Sequence, residues 1–315
     1  MAKNKTSNPE FDRLKLGIVK NLNYSGSESE IEALKQVVLE YVNNPEVSGR
    51  NKPAPDFKLF EELHFVLDND KTGRNTCNLN ISSGFGCYEC LKGHCNVQSN
   101  SKRQDGVKFE NITCYSLANE NRLPLSIIHD INNYIVFNTL SYDKILSQIK
   151  TFILENECFY LRFNEKGSFY SLDSFKTCDK IAMDLKNYVI SYSYTSNKIL
   201  FNEVYKTCFM ALNLSLGFED LTKVQKQDYK QTIVIEDNRD CLEFVMAHPE
   251  TFKLCTGYCS GCSNCKDDDT LVTVFIRHGA GHNKDLQYFM GVNFVTDLKR
   301  QALFKNMAFV SSRLE

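Results

Sequence analysis

Four residues in the first hundred have the types and the spacing of a zinc site. Their order is His64-x12-Cys77-x9-Cys87-x2-Cys90. Imidazole and thiolate are preferred zinc ligands, and a Cys-x2-Cys pair lets two sulfurs reach one tetrahedral ion. The segments before the second and third ligands are rich in Gly, Asn, Ser and Thr, which is typical of turns. The pattern predicts a zinc site, in which a member of the dipeptide His94-Cys95 could replace one ligand.

A second cluster of potential ligands lies near the other end of the chain. Its members are Cys255, Cys259, Cys262, Cys265, His278 and His282. The last four have the spacing of a two-Cys, two-His zinc finger. The run Leu271–Ile276 favours a strand where such a finger needs a helix, and glycines between the histidines disfavour a helix there too. We therefore expect a zinc site carried by a strand or loop, and about two zinc ions per chain. An iron–sulfur cluster is an alternative, although the expected terminal Cys-Pro is missing.

The stretch from His278 to His282 also allows a catalytic interpretation. Two histidines beside glycines could handle phosphate, with an imidazole attacking phosphorus. No third histidine and no obvious carboxylate partner follows in sequence, and there is no P-loop, nucleophile elbow or paired acidic metal-ion motif. We therefore expect a protein that is not an enzyme, and keep a phosphohydrolase as an alternative.

Composition limits the remaining classes. The chain has 315 residues, 42% hydrophobic and 12% aromatic content and a formal net charge of −2, which indicate a packed core and exclude a strongly basic coat protein. No apolar run approaches the roughly 18 residues of a membrane span. The start of the chain lacks the apolar core of a secretory signal. Thirteen cysteines without such a signal favour metal ligation over disulfides, so we expect an intracellular, cytoplasmic protein.

The first zinc pattern resembles that of the single-stranded-DNA-binding, helix-destabilising proteins of T4-like phages, which carry one His followed by three Cys at the same intervals. Two further segments are similar to that family. Lys3-Asn4-Lys5-Thr6-Ser7 resembles its N-terminal element for cooperative contacts, and Cys158–Lys176 resembles a strand-turn-strand of its OB-type core. The resemblance covers roughly residues 1–180.

The resemblance implies an α+β protein with an OB-like β-barrel core and structural zinc. We expect a flexible basic arm at 1–26, a zinc subdomain and OB-like core at 27–180, and a C-terminal α+β module with the second cluster at 181–315. The implied function is cooperative, sequence-independent binding of single-stranded DNA in viral replication, recombination or repair. Partners would be DNA, neighbouring copies and replication proteins, in an infected host cell. A zinc-dependent transcription or nucleic-acid scaffold protein is the main alternative.

Single-strand binding needs cations for phosphates and exposed rings for base stacking. In the strand that ends at Phe163, alternation places Tyr160 and Arg162 on the polar face, and Phe159 and Leu161 with Phe163 towards the core. The candidate nucleic-acid-binding residues are Lys3, Lys5, Arg74, Lys102, Arg103, Lys108, Tyr115, Arg122, Tyr134, Tyr160, Arg162, Lys166 and Tyr170.

Local patterns predict several elements. Ser27 and Glu30 form a capping-box start, followed by a helix with a stripe of Ile31, Leu34, Val38 and Tyr41 that ends at Asn43-Asn44-Pro45. Further helices are predicted at 142–155 and 201–214. Strands are predicted at 133–139, 158–163, 168–172 and 188–194, with a turn at 165–167. No internal repeat is evident.

Overall fold

The structure is a computed structural model that describes residues 9–67, 75–81, 123–216, 220–235, 239–255, 264–266 and 271–276. The chain divides into two compact units. Unit 1 comprises Met1–Phe65, Leu79–Phe152 and Asn164–Thr177, and unit 2 comprises Val66–Asn78, Ile153–Phe163 and Cys178–Glu315. No helix among the described residues is long and apolar enough to cross a membrane.

The described residues contain seven α-helices and seven strands. The helices are α1 Pro9–Asn21, α2 Glu28–Asn43, α3 Pro124–Thr139, α4 Tyr142–Glu155, α5 Leu172–Asp184, α6 Lys198–Val204 and α7 Arg239–Ala247. The strands are β1 Thr76–Leu79, β2 Tyr160–Phe163, β3 Ile190–Thr195, β4 Ala211–Ser215, β5 Gln231–Ile235, β6 Phe252–Leu254 and β7 Val272–Ile276. Short 3-10 helices lie at Gly49–Asn51 and Leu221–Lys223.

Unit 1 has a core built from α1, α2 and α3. The predicted start of α2 is confirmed, because the Ser27 side chain accepts a hydrogen bond from the Glu30 backbone N–H. The four residues of its predicted stripe are all buried. Helix α1 occupies part of the segment expected to be a flexible arm. It packs closely on α2 at Gly17, where an added Cβ would lie only 2.8 Å from a methyl carbon of Val37.

Two predicted strands of unit 1 are wrong. The segment 133–139 belongs to α3, because buried Ile127, Ile131, Tyr134 and Ile135 recur at helical spacing despite their β-type side chains. The segment 168–172 leads into α5. There Ser171 and Ser174 exchange side-chain-to-backbone hydrogen bonds of 3.0 and 3.1 Å, which caps the helix start.

Unit 2 is built on a parallel sheet with the strand order β1-β2-β3-β4-β5-β7-β6. All residues of these strands lie in unit 2 except Leu79 of β1, which belongs to unit 1. The expectation of an α+β fold with an OB-like barrel is therefore wrong, and the fold is α/β. An OB fold is a Greek-key barrel, whereas the strands here pair in parallel. The predicted hairpin at 165–167 does not form, since β2 pairs with β3 in parallel, Tyr160 opposite Ile190. The predicted strand at 188–194 is confirmed as β3, and the helix predicted at 201–214 is wrong because that segment holds the end of α6 and β4.

The strands of unit 2 recur at a nearly constant interval. Strands β3 to β7 begin at residues 190, 211, 231, 252 and 272, which are 20 or 21 residues apart. From β2 to β5 each new strand adds to the same edge of the sheet. The last two strands depart from this order, because β7 lies between β5 and β6.

The two faces of the sheet differ in character. One face buries apolar side chains, and Ile233, Val272 and Val274 form a cluster with Leu242 and Val245 of α7. The opposite face carries Tyr160, Arg162, Tyr192, Tyr194 and Asn213, and we call it the tyrosine face. Parallel register places Arg162 beside Tyr192, and Tyr194 beside Asn213.

Candidate functional site

A stacked pair of imidazoles lies in unit 1. The rings of His64 and His129 have centroids 3.4 Å apart and planes 15° apart. The Phe57 ring is edge-on to both, at 6.0 and 5.6 Å. His64 is fixed by its backbone, because its N–H donates to Asn133 Oδ1 at 2.7 Å and its carbonyl accepts from Asn133 Nδ2 at 2.8 Å. Sequence reasoning identified His64 and missed His129, which lies on α3.

A buried ion pair lies in the same unit. Lys166 Nζ donates to Asp130 Oδ2 at 2.6 Å and also hydrogen bonds with Ser126 Oγ. Burial lowers the pKa of His64 to about 4, and the Lys166 charge adds to this. Burial lowers the pKa of His129 to about 3, with contributions from His64 and Lys166. Both imidazoles are therefore neutral near pH 7, and the ammonium carries the positive charge of the cluster.

Buried amides position the loop that carries His64. Asn132 accepts the N–H of Phe60 at 2.6 Å and donates to the Glu62 carbonyl at 2.7 Å. Asn80 accepts the Lys166 backbone N–H at 3.1 Å. Asn132 and Asn133 each use both the donor and the acceptor side of the amide to hold irregular backbone in place, which satisfies groups that would otherwise be buried without hydrogen bonds.

The predicted ligand Cys77 contacts the thiol of a second cysteine, Cys158. It is buried in β1 and hydrogen bonds with Cys158, which precedes β2 in the same unit. Burial, and then Cys158, raise the pKa of Cys77, whereas the hydrogen bond from Cys77 lowers that of Cys158. The other two predicted ligands of this site, Cys87 and Cys90, lie outside the described residues.

Two of the six predicted ligands of the second cluster are described. Cys255 follows β6, and its N–H donates to the Val274 carbonyl at 2.8 Å. Cys265 lies over the tyrosine face, where its carbonyl accepts from Asn213 Nδ2 at 3.0 Å. Within the described ranges no three His, Cys, Asp or Glu side chains are grouped to hold a metal ion. The remaining predicted ligands, Cys259, Cys262, His278 and His282, lie outside those ranges.

The segment 264–266 covers part of the tyrosine face. Lys266 Nζ lies 3.3 Å from the Tyr160 ring centroid and 5.3 Å from that of Tyr192. The Tyr194 hydroxyl hydrogen bonds with the Cys265 thiol, and burial, followed by Cys265, raises the pKa of Tyr194. The Cys265 end of the cysteine cluster is therefore packed against the sheet of its own unit.

The described candidates for nucleic-acid binding are engaged in contacts inside their own units. Tyr134 is buried and its hydroxyl donates to Glu30. Tyr170 stacks on Tyr24 with ring centroids 4.8 Å apart. Tyr160 is buried below Lys266, and the Arg162 guanidinium lies 5.0 Å from the Tyr194 ring. Lys166 belongs to the buried ion pair. The other eight candidates, Lys3, Lys5, Arg74, Lys102, Arg103, Lys108, Tyr115 and Arg122, lie outside the described residues.

Exposed aromatic residues occur instead at the amino edge of the sheet. Phe159 directly precedes β2, whereas Tyr188 and Phe209 each lie two residues before β3 and β4. Their exposed fractions are 42%, 42% and 48%. We call these three residues the edge aromatics. The prediction that Phe159 faces the core is wrong, whereas Leu161 and Phe163 are buried as predicted.

The backbone holds the edge aromatics in place. The Phe159 N–H donates to the Asn75 carbonyl at 2.9 Å, and its own carbonyl accepts from Ile190 at 3.0 Å. The Asp179 carboxylate accepts the Phe209 N–H at 2.8 and 3.0 Å and the Met210 N–H at 2.8 Å. These bonds pre-order the positions from which the rings project.

Exposed lysines accompany the edge aromatics. Lys186, Lys206 and Lys226 are 20 residues apart, and each precedes a strand of the sheet by four or five residues. The same edge loops carry the exposed carboxylates Glu157 and Asp228, so cations and anions both occur there. The 20-residue recurrence of lysine followed by an aromatic residue is visible in the sequence, and it is the signal that the sequence analysis missed.

Comparisons with protein-family models, with curated proteins and with solved structures find no match for this chain.

Proposed function

We propose that this protein binds single-stranded nucleic acid without sequence preference and without catalysis. The observation that carries the proposal is the row of three edge aromatics, which precede three neighbouring parallel strands, together with the exposed lysines that precede β3, β4 and β5. Every base has a face that can stack on a ring, and lysines at the edges of such a row can contact phosphates. The binding surface is therefore the amino edge of the sheet in unit 2.

The spacing of the row favours a single strand over a duplex. Neighbouring strands of a sheet are about 4.8 Å apart. The backbone positions of successive edge aromatics are therefore spaced more widely than the about 3.4 Å between stacked nucleotides of one strand. A partly unstacked strand can match this spacing and offer base faces to the rings. In a duplex those faces are already covered by neighbouring base pairs.

Zinc has a structural role in this proposal. The two described members of the second cluster are anchored in unit 2, one after β6 and one on the tyrosine face. A metal held by this cluster would tie the cysteine-bearing segment to the sheet. A closed shell of four thiolates and imidazoles has no open position for a substrate, so the metal has only a structural role in this proposal.

The resemblance of the first zinc pattern to phage proteins favours DNA as the strand and replication, recombination or repair as the process. Self-association along the strand belongs to the same proposal, through Lys3 and Lys5. The OB-like core is not needed for it, because the edge aromatics supply the stacking surface.

The test measures the affinity for fluorescent oligo-dT and oligo-U at fixed low salt. In a triple variant, F159A/Y188A/F209A, we expect affinity to fall by at least tenfold, since each stacked base contributes about 1–3 kcal/mol. The matched control is I199A/M246A, which removes exposed apolar side chains from α6 and α7.

The proposal is overturned if the wild-type protein binds neither oligonucleotide, or if the triple variant and the control bind as tightly as the wild type. Circular dichroism melts of all three proteins show whether a loss of binding reflects a loss of fold. The two oligonucleotides separate DNA from RNA preference.

A further inference from the structure

We propose that the site at the amino edge holds three nucleotides, with one base stacked on each edge aromatic, and that the row of stacking rings ends at β4. This inference rests on the proposed function and deepens it, because it states how much of a single strand the site binds. It follows from the register of the parallel strands, which sets how far along the sheet each edge residue lies.

The three edge aromatics lie at nearly the same level of the sheet. Strands β2 and β3 begin side by side, and β4 begins two residues further along, because Ala211 pairs with Tyr192. Since Phe209 lies two residues before Ala211, it is level with the start of β3. Phe159 and Tyr188 lie one and two residues before β2 and β3. At a rise of about 3.3 Å per residue, the backbone positions of the three fall within about 7 Å of one another along the strands.

Tyr229 continues the interval in sequence but not the level in the sheet. It follows Phe209 by 20 residues and lies two residues before β5, as Phe209 does before β4. However, β5 begins opposite Leu214, which is three residues beyond the start of β4. Tyr229 is therefore displaced from Phe209 by about 10 Å along the strands. This displacement is about three times the separation of about 3.4 Å between stacked nucleotides.

The Tyr229 ring packs at the end of α6 instead. Its centroid lies 5.0 Å from that of Phe201 and 5.2 Å from that of Tyr205, and it is edge-on to both rings. Tyr229 is half-buried, whereas the three edge aromatics are exposed. These contacts give Tyr229 a packing role between β5 and α6.

The residue before β1 does not extend the row on the other side. It is Asn75, whose carbonyl accepts the N–H groups of Phe159 and Tyr160 at 2.9 and 3.1 Å. Asn75 has no aromatic ring. Among the described residues the row therefore has three members, one before each of β2, β3 and β4, and offers stacking positions for three bases.

The test measures the affinity of the full-length protein for oligo-dT strands of two, three, four and twelve nucleotides, by competition with a fluorescent oligo-dT at fixed low salt. For the wild type, the third nucleotide should raise the affinity at least about fivefold, the lower end of what one stacked base contributes, and the fourth should add clearly less. F209L keeps an apolar side chain without a ring. It should bind the two-nucleotide strand as the wild type does and lose the gain from the third nucleotide.

Two further variants complete the test. F159L, at the other end of the row, should behave as F209L does. Y229L is the matched control one strand beyond the row, and it should keep the wild-type dependence on length. Unchanged affinity for the two-nucleotide strand shows in each case that the rest of the site is folded.

The inference is overturned if the wild type gains as much from the fourth nucleotide as from the third, or if F209L and F159L both keep the gain from the third. Either result leaves the proposed function in place as long as the twelve-nucleotide strand binds. A wild type that binds none of the four lengths overturns the proposed function and this inference together.

Discussion

Both units contain an apolar core, and they differ in the charged groups that they bury and the rings that they expose. Unit 1 places charged and amide groups inside, among them Lys166, Asp130, Asn132 and Asn133. The helix-covered face of unit 2 is apolar, as Ile233 and its cluster show. Unit 2 instead exposes rings at the amino edge of its sheet. Unit 1 therefore uses buried polar groups to hold irregular loops in place, whereas the exposed rings of unit 2 are accessible to the ligand that we propose.

This difference changes what a mutation reports. A buried ion pair gives little net stability when intact, but losing one partner leaves an uncompensated charge. An exposed ring gives little stability in either case. Variants inside unit 1 are therefore expected to act on folding, and variants at the amino edge on binding.

The largest effect is expected for Lys166→Met. The Asp130 carboxylate is 2 % exposed and would lose its countercharge. The free energy of unfolding should fall by about 3–5 kcal/mol, measured by urea denaturation.

The matched control for that variant is Lys58→Met, which breaks the exposed pair with Glu62. It should cost less than about 1 kcal/mol. The double variant K166M/D130N should be more stable than K166M alone. Equal stability of K166M and K58M would show that the ion pair does not have the role described.

A smaller effect is expected for Ile233→Ala in unit 2. Ile233 is fully buried against Leu242 and Val245, and truncation leaves a cavity between the sheet and α7. We expect a loss of about 2–4 kcal/mol in the free energy of unfolding. Val234→Ala, a half-buried neighbour on the same strand, should cost clearly less. If the two variants unfold at the same urea concentration, this face of β5 is not the core.

The smallest effect concerns the thiol beside Phe209. Burial, and then the Asp179 carboxylate, raise the pKa of Cys208 to about 11. Its thiolate fraction is therefore low at pH 8 and rises as pH approaches 11. Iodoacetamide labelling at Cys208, followed by mass spectrometry, should be slow at pH 8 and accelerate above pH 10.

Replacement of the carboxylate, Asp179→Asn, should lower that pKa and speed the labelling at pH 8. Phe209 should then be less firmly held, because its N–H loses the charged acceptor. An unchanged labelling rate in D179N would argue against the described contact between Asp179 and this loop.

Local sequence signals were sufficient for helices with strong caps or stripes. The start of α2 at Ser27 and the amphipathic span of α4 follow from such signals, and so do strands β2 and β3. Strand direction and partner could not be predicted, because pairing joins segments such as β5 and β7 that are distant in sequence. A hairpin turn at Glu165–Gly167 was locally reasonable, and the non-local pairing of β2 with β3 overrode it.

The candidate sites show the same limit. His64 was identified from its spacing to cysteines, but His129 comes near it only through the packing of α3. The edge aromatics were assigned to the core or overlooked, since an aromatic residue before a strand has no local feature that distinguishes exposure from burial. The lysines at 186, 206 and 226 are a periodic signal of these loops that the sequence alone contains.

The salt dependence of oligo-dT binding tests the central claim most directly. Each phosphate contact with a single strand contributes about 0.7 to the slope of log affinity against log salt. For the edge variant K186Q/K206Q/K226Q we predict a slope that is shallower than that of the wild type by about 2. The control K20Q/K58Q/K144Q removes three exposed lysines of unit 1 and should keep the wild-type slope. Identical slopes in the wild type and in the edge variant would contradict binding at the amino edge of the sheet.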